Sequence, residues 1–198
     1  MNNDEFQKTV VHAAKWSALT ELAAKLISPF VNMVLARILV PEAFGIVATI
    51  TMIISFADMF TDSGFQKYLI QHEFIDDSEK ENSANVAFWT NMLLSILLLG
   101  VIIFFRNEIA NLVGNQGLGN VLAIACLQLP LTAFSSIQMA LYRRAFNFKT
   151  LFFVRIISIL IPLFITLPLA FMGWGYWALV IGSLVVQMSN AFILTIKS

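Results

Sequence analysis

Charged residues and cysteine are both scarce in this chain of 198 residues. Asp, Glu, Lys and Arg together make up 12% of it, against about 25% in an average soluble domain. Hydrophobic residues make up 59%, which is more apolar surface than a soluble fold of this length could bury. The single cysteine, Cys126, excludes an internal disulfide and a cysteine-based metal cluster. The composition therefore predicts a protein that is solvated by a lipid bilayer.

Sequence motifs of catalytic and metal sites are also missing. The two histidines, His12 and His72, lack metal-ligand spacing, and the sequence contains no glycine-rich phosphate loop and no nucleophile elbow. We therefore expect no enzymatic activity, no metal, no cofactor and no nucleic-acid partner.

Six apolar stretches are each long enough to cross a hydrocarbon core of about 30 Å as a helix of about 20 residues. Residues 1–15 form a polar tail with apolar residues at roughly helical spacing, which predicts a short interfacial helix before the first span. The fold class is therefore expected to be an all-α integral membrane protein. Its spans are placed at about residues 16–39, 44–70, 86–105, 119–141, 151–172 and 176–196.

Two local features refine this prediction. Ser78-Glu79-Lys80-Glu81 has the spacing of a capping box, which predicts a helix that starts there and runs into the third span. Pro162 and Pro168 each lack a backbone N–H group, so the fifth span is expected to bend.

The distribution of lysine and arginine predicts the orientation of the chain. With the N-terminus in the cytoplasm, the outer side of the membrane receives only Arg37 and Arg106, and Lys25 lies within the membrane. The cytoplasmic side receives Lys8, Lys15, Lys67, Lys80, Arg143, Arg144, Lys149, Arg155 and Lys197. Because positive residues concentrate on the cytoplasmic side of membrane proteins, both termini are expected to be cytoplasmic.

Polar stripes follow the first two spans. The polar residues recur at steps of four, three and four along each helix, so each set lies on one helical face. Charges at that depth cost at least about 2.5–3.5 kcal/mol each and normally face a bundle interior. The stripes therefore predict one hydrophilic groove or cavity wall. They consist of Glu21, Lys25, Ser28 and Asn32 on the first span, and of Thr51, Ser55, Asp58 and Asp62 on the second.

The charges within these stripes have two interpretations. Glu21 and Lys25 have the i,i+4 spacing of a pair that satisfies its own charges. Alternatively, Lys25 pairs with Asp58 across the first two helices, because their expected depths agree and a four-residue corner should hold those helices side by side. A third option makes Asp58 and Asp62 an ion-coupling site.

Four arginines near the ends of spans are candidate binding residues. Arg143 and Arg144 close the fourth span, Arg155 opens the fifth, and Arg37 lies at the outer end of the first. The planar guanidinium group suits a phosphate or pyrophosphate group. The competing interpretation is that these arginines only anchor the topology, with their charged ends at the membrane surface.

Several segments, in order along nearly the whole chain, resemble the polysaccharide transporter family, the O-antigen, lipopolysaccharide and teichuronic-acid-type flippases of the MOP exporter superfamily. They are 35–45 (LARILVPEAFG), 62–65 (DSGF), 69–71 (LIQ), 88–91 (FWTN), 141–149 (LYRRAFNFK) and 173–180 (GWGYWALV).

The resemblance implies a flippase that moves an undecaprenyl-pyrophosphate-linked oligosaccharide across the bacterial cytoplasmic (inner) membrane for surface polysaccharide synthesis. Members have two six-helix lobes that rock against each other around a central cavity. This sequence supplies the N-terminal lobe only, so we expect a partial chain that lacks the C-terminal lobe and needs a second half. The other implied partners are the bilayer, the lipid-linked oligosaccharide and glycan polymerase or assembly proteins.

Under this resemblance, sugar hydroxyls would suit Ser28, Asn32, Thr51 and Ser55, and the pyrophosphate would suit Lys25 or the arginines. Two alternatives remain open at this point. One is a cation-coupled exporter of small drugs from the same superfamily, with Asp58 and Asp62 as its ion site. The other is a scaffold of a glycan-assembly complex that transports nothing itself.

Overall fold

All regular secondary structure in the described part of the chain is helical. The structure is a computed structural model that describes residues 3–62 and 64–197, and within these the side chains of residues 11, 12, 14–61 and 64–196. In chain order the helices are α1 (Asn3–Ile38), α2 (Pro41–Asp62), α3 (Phe65–Gln71), α4 (Asp77–Phe104), α5 (Arg106–Leu112), α6 (Gly119–Ala125), α7 (Gln128–Arg144), α8 (Phe148–Ile161), α9 (Leu167–Phe171) and α10 (Tyr176–Lys197). A π-helical turn, Pro162–Thr166, joins α8 to α9.

Six stretches of helix within the described residues are long and apolar enough to cross a membrane, which confirms the predicted fold class. The fourth stretch combines α6 and α7, and the fifth combines α8, the π-helical turn and α9. The stretches are Ala14–Ile38, Pro41–Thr61, Asp77–Phe104, Gly119–Arg144, Phe148–Phe171 and Tyr176–Ile196.

The second span is shorter than predicted. The sequence suggested one helix over residues 44–70, but α2 ends at Asp62 and a separate helix, α3, begins at Phe65. Gly64 has a φ angle of 85°, in the left-handed region that glycine enters without a steric penalty. The chain therefore changes direction at this residue, and α3 packs against α7.

The third span begins earlier than predicted, and its cap is two residues before the expected one. The Asp76 side chain accepts a hydrogen bond from the backbone N–H of Glu79 at 2.7 Å, and the Glu79 carboxylate accepts one from the N–H of Ile75 at 2.7 Å. The N-cap is therefore Asp76 and not Ser78, and the arrangement differs from a capping box in that Glu79 accepts from Ile75, the residue before the cap. The helix then runs without interruption to Phe104.

The two prolines disturb the fifth span in different ways. Pro162 opens the π-helical turn, in which the N–H of Leu167 donates to the carbonyl of Pro162 five residues earlier. Pro168 lies in the first turn of α9, which continues directly from the π-helical turn. The expected disturbance is therefore a local widening of the helix at Pro162.

The helix α7 lies at the centre of the bundle, in contact with α2, α3, α4, α8 and α10. Its buried face includes the small residues Ala133, Ser136 and Ala140, which allow neighbouring backbones to approach closely. The helix α1 packs along α8, whereas α2 packs against α4, α7 and α10. The expectation that the first two helices lie side by side is therefore wrong. A short corner joins their ends but leaves the directions of their axes to packing.

The helix α10 approaches the fifth span closely at Gly182. A Cβ atom added there would overlap the hydroxyl oxygen of Thr166 in the π-helical turn. Only glycine therefore fits this position without displacing the turn.

We predict that Gly182→Ala lowers the free energy of unfolding by about 1–3 kcal/mol, the usual cost of overpacking. Thermal unfolding in lipid nanodiscs measures the change. Gly100→Ala is the matched control, because Gly100 is also in a helix and a Cβ there meets nothing within 4 Å. The double variant Gly182→Ala/Thr166→Ala should recover part of the loss. Equal stability of Gly182→Ala and Gly100→Ala would contradict the close contact.

Candidate binding groove

A polar groove runs between α1, α7, α8 and α10. It consists of two cavities of about 290 and 360 Å³, which adjoin each other at Arg155 and Ser158. The polar lining comes from four helices and the π-helical turn. It includes Ser17, Thr20, Glu21, Ser28 and Asn32 of α1, Gln128 and Arg143 of α7, Arg155 and Ser158 of α8, Thr166, and Ser183, Gln187 and Asn190 of α10.

The polar stripe of α1 forms one wall of this groove. Val31 and Leu35 are buried on the same helix and belong to the apolar cluster that holds α1 in the bundle. Their neighbours at helical spacing, Glu21, Ser28 and Asn32, line the groove. Lys25 belongs to the predicted stripe but is exposed and does not line either cavity.

The polar stripe of α2 does not face the same groove. Thr51 and Ser55 are exposed on α2, and Asp58 lines a separate cavity between α2, α3, α4 and α7. The side chain of Asp62 lies outside the described residues. The prediction of one groove between the first two helices is therefore wrong, because α1 and α2 pack against different neighbours.

Lys25 and Asp58 line no common cavity among those described, because α1 and α2 pack against different neighbours. This arrangement does not support the predicted ion pair between them. Glu21 and Lys25 form no ion pair with each other, within the described part of the chain. Both are exposed on α1.

Arg143 and Arg155 bring positive charge to the groove. Both side chains are exposed and line the first cavity, and Arg155 also lines the second. Neither guanidinium forms a hydrogen bond or an ion pair with another described residue. Their five N–H donors each remain available to an anionic group in the groove. Arg37 is exposed near the end of α1 and lies outside both cavities.

Arg144 has a different role from its neighbour. Its Nη1 donates hydrogen bonds to the carbonyl oxygens of Leu69 at 2.9 Å and His72 at 2.6 Å, with a longer contact to Ile70 at 3.4 Å. The guanidinium carbon also lies 4.6 Å from the ring centre of Phe74. These contacts tie the last carbonyl groups of α3 to α7, so Arg144 stabilises the fold.

The sequence did not identify eight of the polar groove residues as candidates, and three of these eight, Ser158, Gln187 and Asn190, form a hydrogen-bonded network. The Ser158 hydroxyl donates to Asn190 Oδ1 at 2.5 Å, and Asn190 Nδ2 donates to Gln187 Oε1 at 3.4 Å. Asn190 is 8% exposed, so this network is mostly shielded from solvent. The sequence did contain a signal for this network. Gln187 and Asn190 are three positions apart in an otherwise apolar span, and polar residues in such spans usually face a bundle interior.

The groove thus combines hydroxyl and amide groups with two available guanidinium groups. Hydroxyl and amide side chains can both donate and accept hydrogen bonds, as a polyhydroxylated solute requires. The guanidinium groups suit phosphate oxygens. The arrangement can bind a polar solute that carries an anionic group.

Comparison with known proteins identifies relatives of the chain. The family described as polysaccharide biosynthesis protein matches residues 34–198. The succinoglycan biosynthesis transport protein ExoT of Rhizobium meliloti (strain 1021) is 28% identical over 172 residues, which cover 87% of this chain and 34% of the relative. An uncharacterized membrane protein in the cps region of Klebsiella pneumoniae is 31% identical over 101 residues, which cover 51% and 20% respectively. No solved structure matches significantly.

The alignment with ExoT spans about a third of the length of that relative. The family match covers most of this chain, including five of the six membrane-spanning stretches in the described residues in full and the end of the first. The chain therefore belongs to the polysaccharide biosynthesis protein family, as a multi-pass membrane protein.

Proposed function

We propose that this chain is part of a transporter that moves an undecaprenyl-pyrophosphate-linked oligosaccharide across the bacterial cytoplasmic membrane. The observation that carries the proposal is the polar groove among membrane-spanning helices, which contains two arginines without partners among the described residues. Family membership and the name of ExoT, a succinoglycan biosynthesis transport protein, support polysaccharide as the cargo.

The groove solves the physical problem of moving a sugar through lipid. A sugar head group has to cross about 30 Å of hydrocarbon, where its hydroxyl groups would have no hydrogen-bond partners. Ser28 and Asn32 on α1, opposite the Ser158–Asn190 network, would supply these partners. The lipid tail can remain in the bilayer while the head group lies in the groove.

Arg143 and Arg155 are the proposed contacts of the pyrophosphate group. Arg155 lines both cavities, so a head group that moves along the groove can keep this contact. Lys25, Thr51, Ser55 and Arg37 are exposed outside the groove. We retain them as candidate contacts for a solute held between this chain and a second half of the transporter.

The proposed assembly extends beyond this chain. We infer that a second six-helix lobe completes the transport cavity, as in alternating-access transporters built from two halves. Both termini are proposed to be cytoplasmic, and glycan polymerase or assembly proteins are proposed partners.

The pyrophosphate contact is tested by substitutions of Arg155. We expect Arg155→Ala to weaken the binding of undecaprenyl pyrophosphate by about 10–100-fold, because hydrogen bonds to charged groups contribute about 1.5–3 kcal/mol. Arg155→Lys should recover only part of the affinity, since lysine keeps the charge but loses the planar fork. Binding to the chain in nanodiscs is measured by microscale thermophoresis. Lys149→Ala, an exposed cation outside the groove, is the control. If Arg155→Lys binds as the wild type does, the arginine only anchors the helix.

The neighbouring arginines should separate binding from stability. We expect Arg144→Ala to lower the free energy of unfolding by about 1–3 kcal/mol, because buried carbonyl groups lose their donor. Arg143→Ala should weaken undecaprenyl pyrophosphate binding at unchanged thermal stability. Thermal unfolding and binding are measured on both variants. If Arg143→Ala lowered the stability and Arg144→Ala weakened the binding, Arg144 and not Arg143 would be the residue in the groove.

The proposed orientation predicts which loops react with an impermeant thiol reagent. In a Cys126→Ala background, Gln116→Cys should be labelled from outside intact cells and Glu73→Cys only after permeabilisation. Both positions are exposed. Position 116 is preferred over 115 because the Asn115 side chain donates a hydrogen bond to Thr49. If Glu73→Cys but not Gln116→Cys were labelled in intact cells, the proposed orientation would be wrong and the opposite one would hold.

A further inference from the structure

A further polar cavity, of about 430 Å³, lies between the start of α4 and the end of α7 and shares no lining residue with the groove. We name it the basic cavity, because its described lining side chains include two cations and no carboxylate. Neither the family match nor the proposed cargo assigns a role to it. Its polar lining consists of Lys80 of α4, Gln138, Tyr142 and Arg144 of α7, and Asn147, which caps α8.

Two buried polar atoms of this cavity have no hydrogen-bond partner among the described residues. They are Oε1 of Gln138 and the hydroxyl oxygen of Tyr142, each of which exposes less than 1 Å² to solvent. The two side chains are four positions apart on α7, so they lie on one helical face. Both residues are partly exposed and line the cavity, so a small rotation presents these atoms to it. Because buried polar atoms are nearly always hydrogen-bonded, the pair points to a ligand.

The charged side chains of the cavity keep hydrogen-bond donors for an anion. Arg144 reaches the carbonyl groups of Leu69 and His72 through Nη1, which leaves Nη2 and Nε available. Lys80 pairs with Asp77 at 2.5 Å, but the Asp77 carboxylate is exposed and lies outside the cavity. Water weakens an ion pair of this kind, so an anion in the cavity can compete for the ammonium group.

The position of the cavity along the spans indicates where the anion comes from. Lys80 lies at the start of the span Asp77–Phe104, and Arg144 lies at the end of the span Gly119–Arg144. The ends of spans lie in the headgroup layer of a bilayer, which contains the lipid phosphates. Basic pockets between spanning helices at this level bind lipid head groups. Asn147 is exposed, so the cavity is accessible from outside the bundle.

Gln138 adds a requirement beyond the phosphate. Its Oε1 is an acceptor, and an ionised phosphodiester contains only acceptors, so the phosphate cannot satisfy it. A hydroxyl group of the head group can donate to this oxygen, as in phosphatidylglycerol. The ammonium group of phosphatidylethanolamine also donates, but it would add a third positive charge beside Lys80 and Arg144.

We propose that the basic cavity binds the head group of phosphatidylglycerol, an anionic phospholipid. The Tyr142 hydroxyl, the free nitrogens of Arg144 and the Lys80 ammonium group hold the phosphodiester, and a glycerol hydroxyl donates to Gln138 Oε1. The bound lipid connects α4 to α7. This site is independent of the groove and of the cargo that the groove carries, because Arg143 and Arg144 line different cavities.

Native mass spectrometry of the full chain in detergent micelles tests the proposal by counting bound lipids. We expect phosphatidylglycerol to bind at least about tenfold more tightly than phosphatidylethanolamine. Tyr142→Phe should weaken the binding of phosphatidylglycerol by about tenfold or more, because it removes a hydrogen bond to a charged group. Tyr176→Phe is the matched control, because Tyr176 is also partly buried and lies outside the cavity.

A second variant tests the hydroxyl contact. Gln138→Leu should weaken the binding of phosphatidylglycerol and leave unchanged the binding of phosphatidylmethanol, which has the same charge but no head-group hydroxyl. Free glycerol phosphate and undecaprenyl pyrophosphate, each equimolar with phosphatidylglycerol, should not displace it.

Three results would overturn the site. The first is equal binding of phosphatidylglycerol and phosphatidylethanolamine to the wild type. The second is an equal affinity of Tyr142→Phe and Tyr176→Phe for phosphatidylglycerol, a result that stands even where Gln138→Leu fails to fold. The third is displacement, because glycerol phosphate would identify a soluble phosphate ester as the occupant and undecaprenyl pyrophosphate would make the cavity part of the cargo path. Thermal unfolding establishes which variants are folded.

Discussion

The hydrocarbon core of a membrane offers no hydrogen-bond partner to the polypeptide, and the rest of this structure depends on that constraint. A membrane-spanning backbone has to satisfy its own N–H and C=O groups, so all the regular structure described here is helical. The interruptions follow the same rule. Between α6 and α7, the N–H groups of Leu127 and Leu129 donate to the carbonyls of Ile124 and Cys126 at 3.2 and 3.0 Å. The break at Gly64 and the turn at Pro162 use residues suited to a change of backbone geometry.

The same constraint determines where polar side chains can lie, and α7 distributes them. Successive residues on a helix point about 100° apart, so Arg143 and Arg144 face different surroundings. Arg143 lines the groove, and Arg144 binds the carbonyl groups at the end of α3. Ser136, elsewhere on the same helix, accepts a hydrogen bond from Asn91 of α4 in the cavity between α2, α3, α4 and α7. One helix thus contributes to the groove, to a structural anchor and to a second polar cavity.

The two polar regions differ in their lining. The groove contains two exposed arginines together with hydroxyl and amide groups. The separate cavity between α2, α3, α4 and α7 contains the nearly inaccessible amide oxygen of Asn91, the carboxylate of Asp58 and the exposed Lys67. The two regions approach each other through α7, whose residues line both.

The sequence by itself determined the all-α membrane fold, the six spans and the family, because long apolar runs and short motifs are local properties of the chain. It also determined the polar stripe of α1, since helical spacing places Glu21, Ser28 and Asn32 on one face. Only the tertiary structure decided that this stripe faces α8 and α10 and that Asp58 lies in another cavity. It also decided the hydrogen-bond partner of Asn91, a hydroxyl 45 residues away. Helix partners are selected by packing between distant segments, and the spacing of residues along one helix contains no information about them.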